Sequence, residues 1–131
     1  ERLQSFEALQ TQPHPGFPTD MQSQMLALAC VCRGASVIEE NVFENRFAIA
    51  GDLCRMGANI RVTGRAALIQ GVERLHGAHV AAHDLRGGAA LVLAALAASG
   101  ETLVEDVHLI DRGYERMEEK LTALGAKIAR V

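Results

Sequence analysis

No stretch of this 131-residue chain is apolar for long enough to cross a bilayer. The longest uncharged run, Gly87 to Gly100, falls short of the about 20 residues a membrane helix needs. Positive charge is not in excess either: the formal net charge is −3, so no broad basic field faces nucleic acid or an anionic membrane, and any anion site must be local. The chain lacks a Gly-rich phosphate loop, a nucleophile elbow and a zinc pattern. Its histidines, His14, His76, His79, His83 and His108, have no metal-ligand spacing and read as solvated or capping residues. The opening ERLQSFEALQ is polar and mixed, without the pattern of a signal peptide. Cysteine is scarce, with three in all. Cys30 and Cys32 are two apart, so on a helix they point to different faces and cannot grip one metal. With Cys54 they read as reduced core cysteines, which implies a cytoplasmic protein. No metal and no cofactor is expected.

What is present fits one globular unit, 49% hydrophobic and 22% charged, able to bury roughly two-thirds of its unfolded surface. The chain nearly repeats itself. RGASVIEE (Arg33–Glu40) is echoed by ASGETLVED (Ala98–Asp106), with Gly34 and Gly100, Glu39 and Glu105, and Arg46 and Arg112 each 66 apart. GANIRV returns as GAKIARV at an offset of 68, and Asp20 and Asp84 lie 64 apart. Such offsets indicate a duplicated unit with small insertions. The units read as residues 12–80 and 81–131, with residues 1–11 the end of a preceding one. Leu3–Thr11 looks like a lone strand whose hairpin partner would precede residue 1, as though the sequence starts in mid-domain.

Each unit reads as capped helix, short strand, capped helix and strands. Thr19 with Gln22 makes a capping box for a helix from Asp20 to Arg33, stopped by Gly34. Ser36–Glu40 is strand-like. Asn41 with Glu44 resembles a second capping box, opening a helix that runs to Gly57. Asn59–Val62 and Ala66–Gln70 form a hairpin about Thr63-Gly64-Arg65. In the second unit His83 or Asp84 caps a helix through Ser99, Thr102–Asp106 is a strand, Arg112–Leu124 a helix, and Lys127–Val131 a closing strand. The helix HDLRGGAALVLAALAASG (His83–Gly100) is apolar all round, which places it inside with the sheets outside it. Gly87 and Gly88, each costing about 1 kcal/mol against Ala in a helix interior, would let neighbouring helices approach closely.

A helix N-terminus carries about half a positive charge, attracts anions and favours Asp. Arginine is on the wrong end there, yet Arg86 and Arg112 both fall in first turns, and Arg46 lies one turn inside its helix. If the helix starts converge, three guanidiniums make a receptor for phosphate and carboxylate, which arginine binds in bidentate fashion. Equally, Arg86 could pair with Asp84 and Arg112 with Asp111 as solvated ion pairs worth at most about 1 kcal/mol. Asp20 is either a carboxylate complementing the helix dipole or a general base aimed into the same cleft.

HPGFPTDMQSQ (His14–Gln24), NVFENRF (Asn41–Phe47), HDLRGGAALVLAALAASGET (His83–Thr102) and DRGYERMEEKLTALGAKIARV (Asp111–Val131) resemble, in that order, the UDP-N-acetylglucosamine enolpyruvyl transferase family (1-carboxyvinyltransferases), over essentially the whole chain. The resemblance implies an inside-out α/β barrel domain of the enolpyruvyl transferase type, with buried helices, outer sheets and about two of the domain's three repeats present. It implies transfer of the enolpyruvyl group of phosphoenolpyruvate to the 3-hydroxyl of UDP-N-acetylglucosamine with release of phosphate, the first committed step of peptidoglycan synthesis. By the same resemblance, Asp20 contacts the 3-hydroxyl and takes its proton, Val42 contacts the sugar nucleotide, and Phe43 lines the site beside it. Arg46, Arg86 and Arg112 hold the carboxylate and phosphate of phosphoenolpyruvate, and Asp84 is a second catalytic carboxylate. The family's proton-donating cysteine lies on a loop of another domain, so Cys30, Cys32 and Cys54 do not take that role. The implied partners are the two small-molecule substrates and the remainder of the same enzyme, with no nucleic acid and no membrane, and the 131 residues alone are expected to be inactive. A sister enzyme of the 5-enolpyruvylshikimate-3-phosphate synthase type and a non-catalytic binding or scaffold fragment are the alternatives.

Overall fold

The computed structural model describes residues 9–11, 22–42, 47–111, 113, 121–122 and 127–128. Its elements run β1 (Leu9–Gln10), α1 (Gln22–Ala29), β2 (Ala35–Glu39), α2 (Ala50–Arg55), β3 (Asn59–Thr63), β4 (Ala66–Gln70), β5 (His79–Ala81), α3 (Leu85–Ala97), β6 (Leu103–Glu105) and α4 (His108–Asp111).

Two β–α–β crossovers organise the chain. β1 pairs with β2 in parallel through α1, and β5 pairs with β6 in parallel through α3. Both close with the same bond beyond the strand end: the Thr11 N–H donates to the Glu39 carbonyl (2.8 Å) and the Ala82 N–H to the Glu105 carbonyl (2.9 Å). The two acceptors are the glutamates 66 apart in sequence. β4 and β3 add antiparallel strands, giving a sheet of order β1-β2-β4-β3. The hairpin expected at residues 63–65 is present: Thr63 pairs with Ala66, and Gly64 supplies the positive φ of 58° that opens a two-residue loop. The alternation of the strands settles which face is covered. Ile38, Ala67 and Ile69 turn into the core with Leu26, Leu53 and Leu91, while Val62 and Leu68 face outward. α1 and α3 pack on each other, and α2 and α4 also lie against α3.

Several expectations are corrected. α1 ends at Ala29 rather than Arg33, because Val31 and Cys32 donate to the carbonyls three residues back and tighten the chain into turns (3.1 and 3.3 Å). The Thr19 cap lies outside the described residues. Asn41 is bonded to distant elements, its N–H donating to Thr11 Oγ1 (2.8 Å) and its side-chain oxygen accepting from Arg65 (3.2 Å), while Glu44 of the expected capping box lies outside the described residues. Phe47, at φ 56°, breaks any continuous helix before Ala50. β2 begins at Ala35 and stops at Glu39, β1 pairs with β2 rather than reading as a lone strand, and Lys127 and Ile128 are not in a strand. α3 is not buried on every side: Leu93 (44%) and Leu96 (40%) stay exposed, since the packed helices cover only part of its circumference. Cys54 is exposed as well, while Cys30 and Cys32 are buried.

The glycines of α3 do allow close approach, though not between α1 and α3. A Cβ at Gly88 would lie 2.7 Å from Ile110 Cγ1 and 2.8 Å from Ala82 Cβ, and one at Gly87 would lie 2.8 Å from Ile49 Cγ2. Gly88→Ala should therefore destabilise by about 1–3 kcal/mol through overpacking although alanine is the better helix former, as chemical denaturation would register. Burial, with the neighbouring Cys54 and Cys32 thiols behind it, pushes the Cys30 thiol from 9.0 to about 12. The folded chain thus keeps a proton that the unfolded chain releases above 9, so this stability is full below pH 9 and declines towards pH 12. A maleimide near neutral pH should label Cys54 in the native state and Cys30 only after unfolding. Labelling followed by peptide mass analysis reads both.

Candidate functional site

The expected site residues within the described set are Val42, Asp84 and Arg86. Asp20, Phe43, Arg46 and Arg112 lie outside it.

Asp84 is the N-cap of α3, with extended backbone and its Oδ1 accepting from the Gly87 N–H at 2.6 Å. Of the two candidate caps, Asp84 holds the position and His83 does not. The short side chain reaches back over the first turn and satisfies one of the helix's free donors. Asp84 and Arg86 are both exposed at the head of α3. Among the described residues no ion pair joins them: the ion pairs there are Arg55–Asp52, His79–Glu105 and His83–Asp52.

The same first turn gathers the neighbours of the other arginines. Ile49, three residues beyond Arg46, abuts Gly87. Ile110, two before Arg112, packs on Gly88, and Gly113, next after Arg112, would place a Cβ 2.5 Å from Leu85 Cδ2. Segments distant in sequence therefore meet around Asp84, Leu85 and Arg86.

Val42 sits on the loop after β2 and is exposed. A buried acid fixes it. Glu40, 1% exposed, accepts at Oε2 from the Thr11 hydroxyl (2.7 Å) and the Val42 N–H (2.9 Å), and at Oε1 from the Gln22 amide (3.3 Å). One carboxylate thus joins the end of β1, the first residue of α1 and the Val42 loop. Gln22 follows Asp20 by two residues, so the start of α1 and the Val42 loop share an anchor. Neither Glu40 nor the contact of His83 with the buried Asp52 (2.8 Å) was foreseen from the sequence. The signal available for Glu40 was an acid directly after a strand rich in apolar residues. Nothing local marks its partners. Among the described residues no cluster of three or more His, Cys, Asp or Glu is arranged to hold a metal, and no helix is long and apolar enough to cross a membrane.

Comparison with known proteins follows the same lines. Residues 4–121 match the family model for EPSP synthase (3-phosphoshikimate 1-carboxyvinyltransferase). The chain is 61% identical over 93% of its length to a UDP-N-acetylglucosamine 1-carboxyvinyltransferase 1 of Caldanaerobacter subterraneus subsp. tengcongensis, of which it spans 29%. It is also 61% identical to a UDP-N-acetylglucosamine 1-carboxyvinyltransferase of Desulfofundulus thermocisternus, of which it spans 50%. Among solved structures, the enolpyruvyl transferase NikO from Streptomyces tendae superposes with a TM-score of 0.83 at 33% identity, over 98% of this chain and 29% of that one. EPSP synthase from Acinetobacter baumannii, at 21% identity and a TM-score of 0.56 over 81% of this chain and 28% of that one, shares the fold. The chain is part of the inside-out α/β barrel fold of these enzymes.

Glu40→Ala should cost about 3 kcal/mol or more, because each buried donor left unpaired costs about 1–3 kcal/mol. Asp84→Ala should cost only about 1 kcal/mol, the loss of an N-cap. Thermal or urea unfolding of the two variants side by side checks the contrast.

Proposed function

Because this chain belongs to the EPSP synthase (3-phosphoshikimate 1-carboxyvinyltransferase) family, we propose that it forms one wall of the active site of an enolpyruvyl transferase acting on UDP-N-acetylglucosamine and phosphoenolpyruvate. The observation that carries this reading is the meeting of the segments flanking Arg46, Arg86 and Arg112 at the head of α3. The choice of sugar nucleotide over phosphoshikimate rests on 61% identity to relatives named UDP-N-acetylglucosamine 1-carboxyvinyltransferase, against 21% to the EPSP synthase structure. The role is cytoplasmic, at the entry to peptidoglycan synthesis. The chain spans 29% and 50% of the lengths of the two relatives named above, and the exposed Leu93 and Leu96 of α3 are surfaces against which further chain of the same enzyme would pack.

In this reading Asp20 accepts the proton of the 3-hydroxyl as its oxygen bonds to C2 of phosphoenolpyruvate, while C3 takes a proton from a donor elsewhere in the enzyme. The product of this addition is a tetrahedral adduct carrying carboxylate and phosphate together. Loss of a C3 proton and cleavage of the C2–O bond to phosphate then give the enolpyruvyl ether and free phosphate. Arg46, Arg86 and Arg112 hold the two anionic groups, and guanidiniums suit this because their paired N–H groups match both. Donors fixed before the reaction stabilise the adduct more than either substrate. Asp84 has one oxygen committed to the Gly87 N–H, so its other oxygen serves the reacting centre. Val42 and Phe43 contact the sugar nucleotide.

Phosphate release by the complete polypeptide carrying this chain tests the reading. Turnover is expected with UDP-N-acetylglucosamine and not with shikimate 3-phosphate, and none from the 131 residues alone. Asp20→Ala and Arg112→Ala should each lower kcat by about 10²–10⁴. Near wild-type rates in both variants would remove the assigned roles, and turnover of shikimate 3-phosphate alone would move the chain to the sister activity.

A further inference from the structure

Asp52 has no part in the chemistry described so far, yet it is a carboxylate buried to 3% exposure in the first turn of α2. Its donors come from two places. Arg55 Nη1 reaches Oδ1 from the next turn of the same helix (2.5 Å). The others come from the connection between β5 and α3: the Ala81 N–H donates to Oδ1 (3.3 Å), and His83 Nε2 meets Oδ2 at 2.8 Å. A carboxylate only accepts, so the imidazole presents its Nε2–H to Asp52. We propose that Asp52, acting through His83 and Ala81, is a positioning residue that sets the direction in which Asp84 and Arg86 enter the site.

The placement carries the argument. Ala81 is the last residue of β5, His83 lies one residue past Ala82, and Asp84 follows at once as the cap of α3. Ala82 is itself held by the Glu105 carbonyl. No unpinned residue remains between the strand and the cap, so the angle at which α3 starts is set from α2. Ile49, at the N-cap position of α2, simultaneously fills the space left by Gly87. α2 therefore grips the head of α3 by one polar and one apolar contact. A buried carboxylate adds little net stability over an apolar residue of equal volume; what it adds here is a fixed direction for two side chains.

This inference rests on the functional reading above, and the test separates the two. In the complete polypeptide, Asp52→Ala and His83→Ala should each lower kcat/KM for phosphoenolpyruvate by up to about 100-fold, the scale of a small misplacement, with KM for the sugar nucleotide unchanged. His83→Gln, whose amide can reach the same carboxylate, should restore most of the loss. In an Asp84→Ala/Arg86→Ala background His83→Ala should add little. Should Asp52→Ala not fold, the His83 variants carry the test alone, since that side chain is 49% exposed. Unchanged kinetics in Arg86→Ala would overturn the functional reading and the positioning role with it. An impaired Arg86→Ala, combined with a His83→Ala that is silent alone or multiplies the loss of the Asp84→Ala/Arg86→Ala variant by its full factor, would overturn the positioning role alone.

Discussion

The bond from the Gly87 N–H to Asp84 Oδ1, 2.6 Å long, closes the first turn of α3, and the rest of the structure is fastened around that turn. The turn has two glycines where helix propensity asks for anything else. With no Cβ at residues 87 and 88, Ile49 and Ile110 come within contact of the α3 backbone. The loss in propensity, about 1 kcal/mol for each glycine, is offset by apolar burial on both sides, since a well-buried isoleucine contributes about 1.5–3 kcal/mol. The cap fixes where α3 begins, and the glycines fix what can sit against it.

The second organising feature is a pair of buried acids, each tying a loop that follows a strand. Glu40 holds the Val42 loop to Thr11 and Gln22, and Asp52 holds the His83 loop to α2. Both carboxylates collect donors from elements remote in sequence. This is the condition under which burying a carboxylate is tolerated, because an unpaired one costs far more than any packing returns. Backbone bonds of the parallel crossovers set the strands in place, and the acids then set the loops.

Much of this was legible in the sequence and some was not, for identifiable reasons. The cap of α3 and the Gly64 hairpin are local: Asp before a long apolar run and Gly at a two-residue loop state their conformations within a few residues. The crossover repeat was visible as glutamates 66 apart, which now appear as equivalent acceptors in two parallel strand pairs. The partner of Asn41 was not legible because a side chain suited to capping a helix is equally suited to accepting from Arg65, which lies 24 residues away. Phe47 at positive φ carries no sequence signal, since an aromatic residue is among the last expected there. At the head of α3, Asp84 and Arg86 announced themselves as charge at a helix start. Glu40 and Asp52 did not, because their partners are 29, 18 and 31 residues off.

In the proposed function the arrangement would bear on catalysis through rigidity. Phosphate and carboxylate are small, strongly hydrated anions, and water competes for every donor offered to them. An arginine that must first be ordered loses side-chain entropy of about 1.5–2 kcal/mol on binding, which weakens substrate and adduct alike. One carried on a turn already locked by a cap, two packed isoleucines and a buried acid carries less of that cost at its backbone. More of its interaction is then available where charge develops. In this protein the locking groups at the head of α3 are Asp84, Ile49, Ile110 and Asp52, from four different segments. Only a folded chain brings them together, so the arrangement at the head of α3 is a property of the tertiary structure rather than of any one motif.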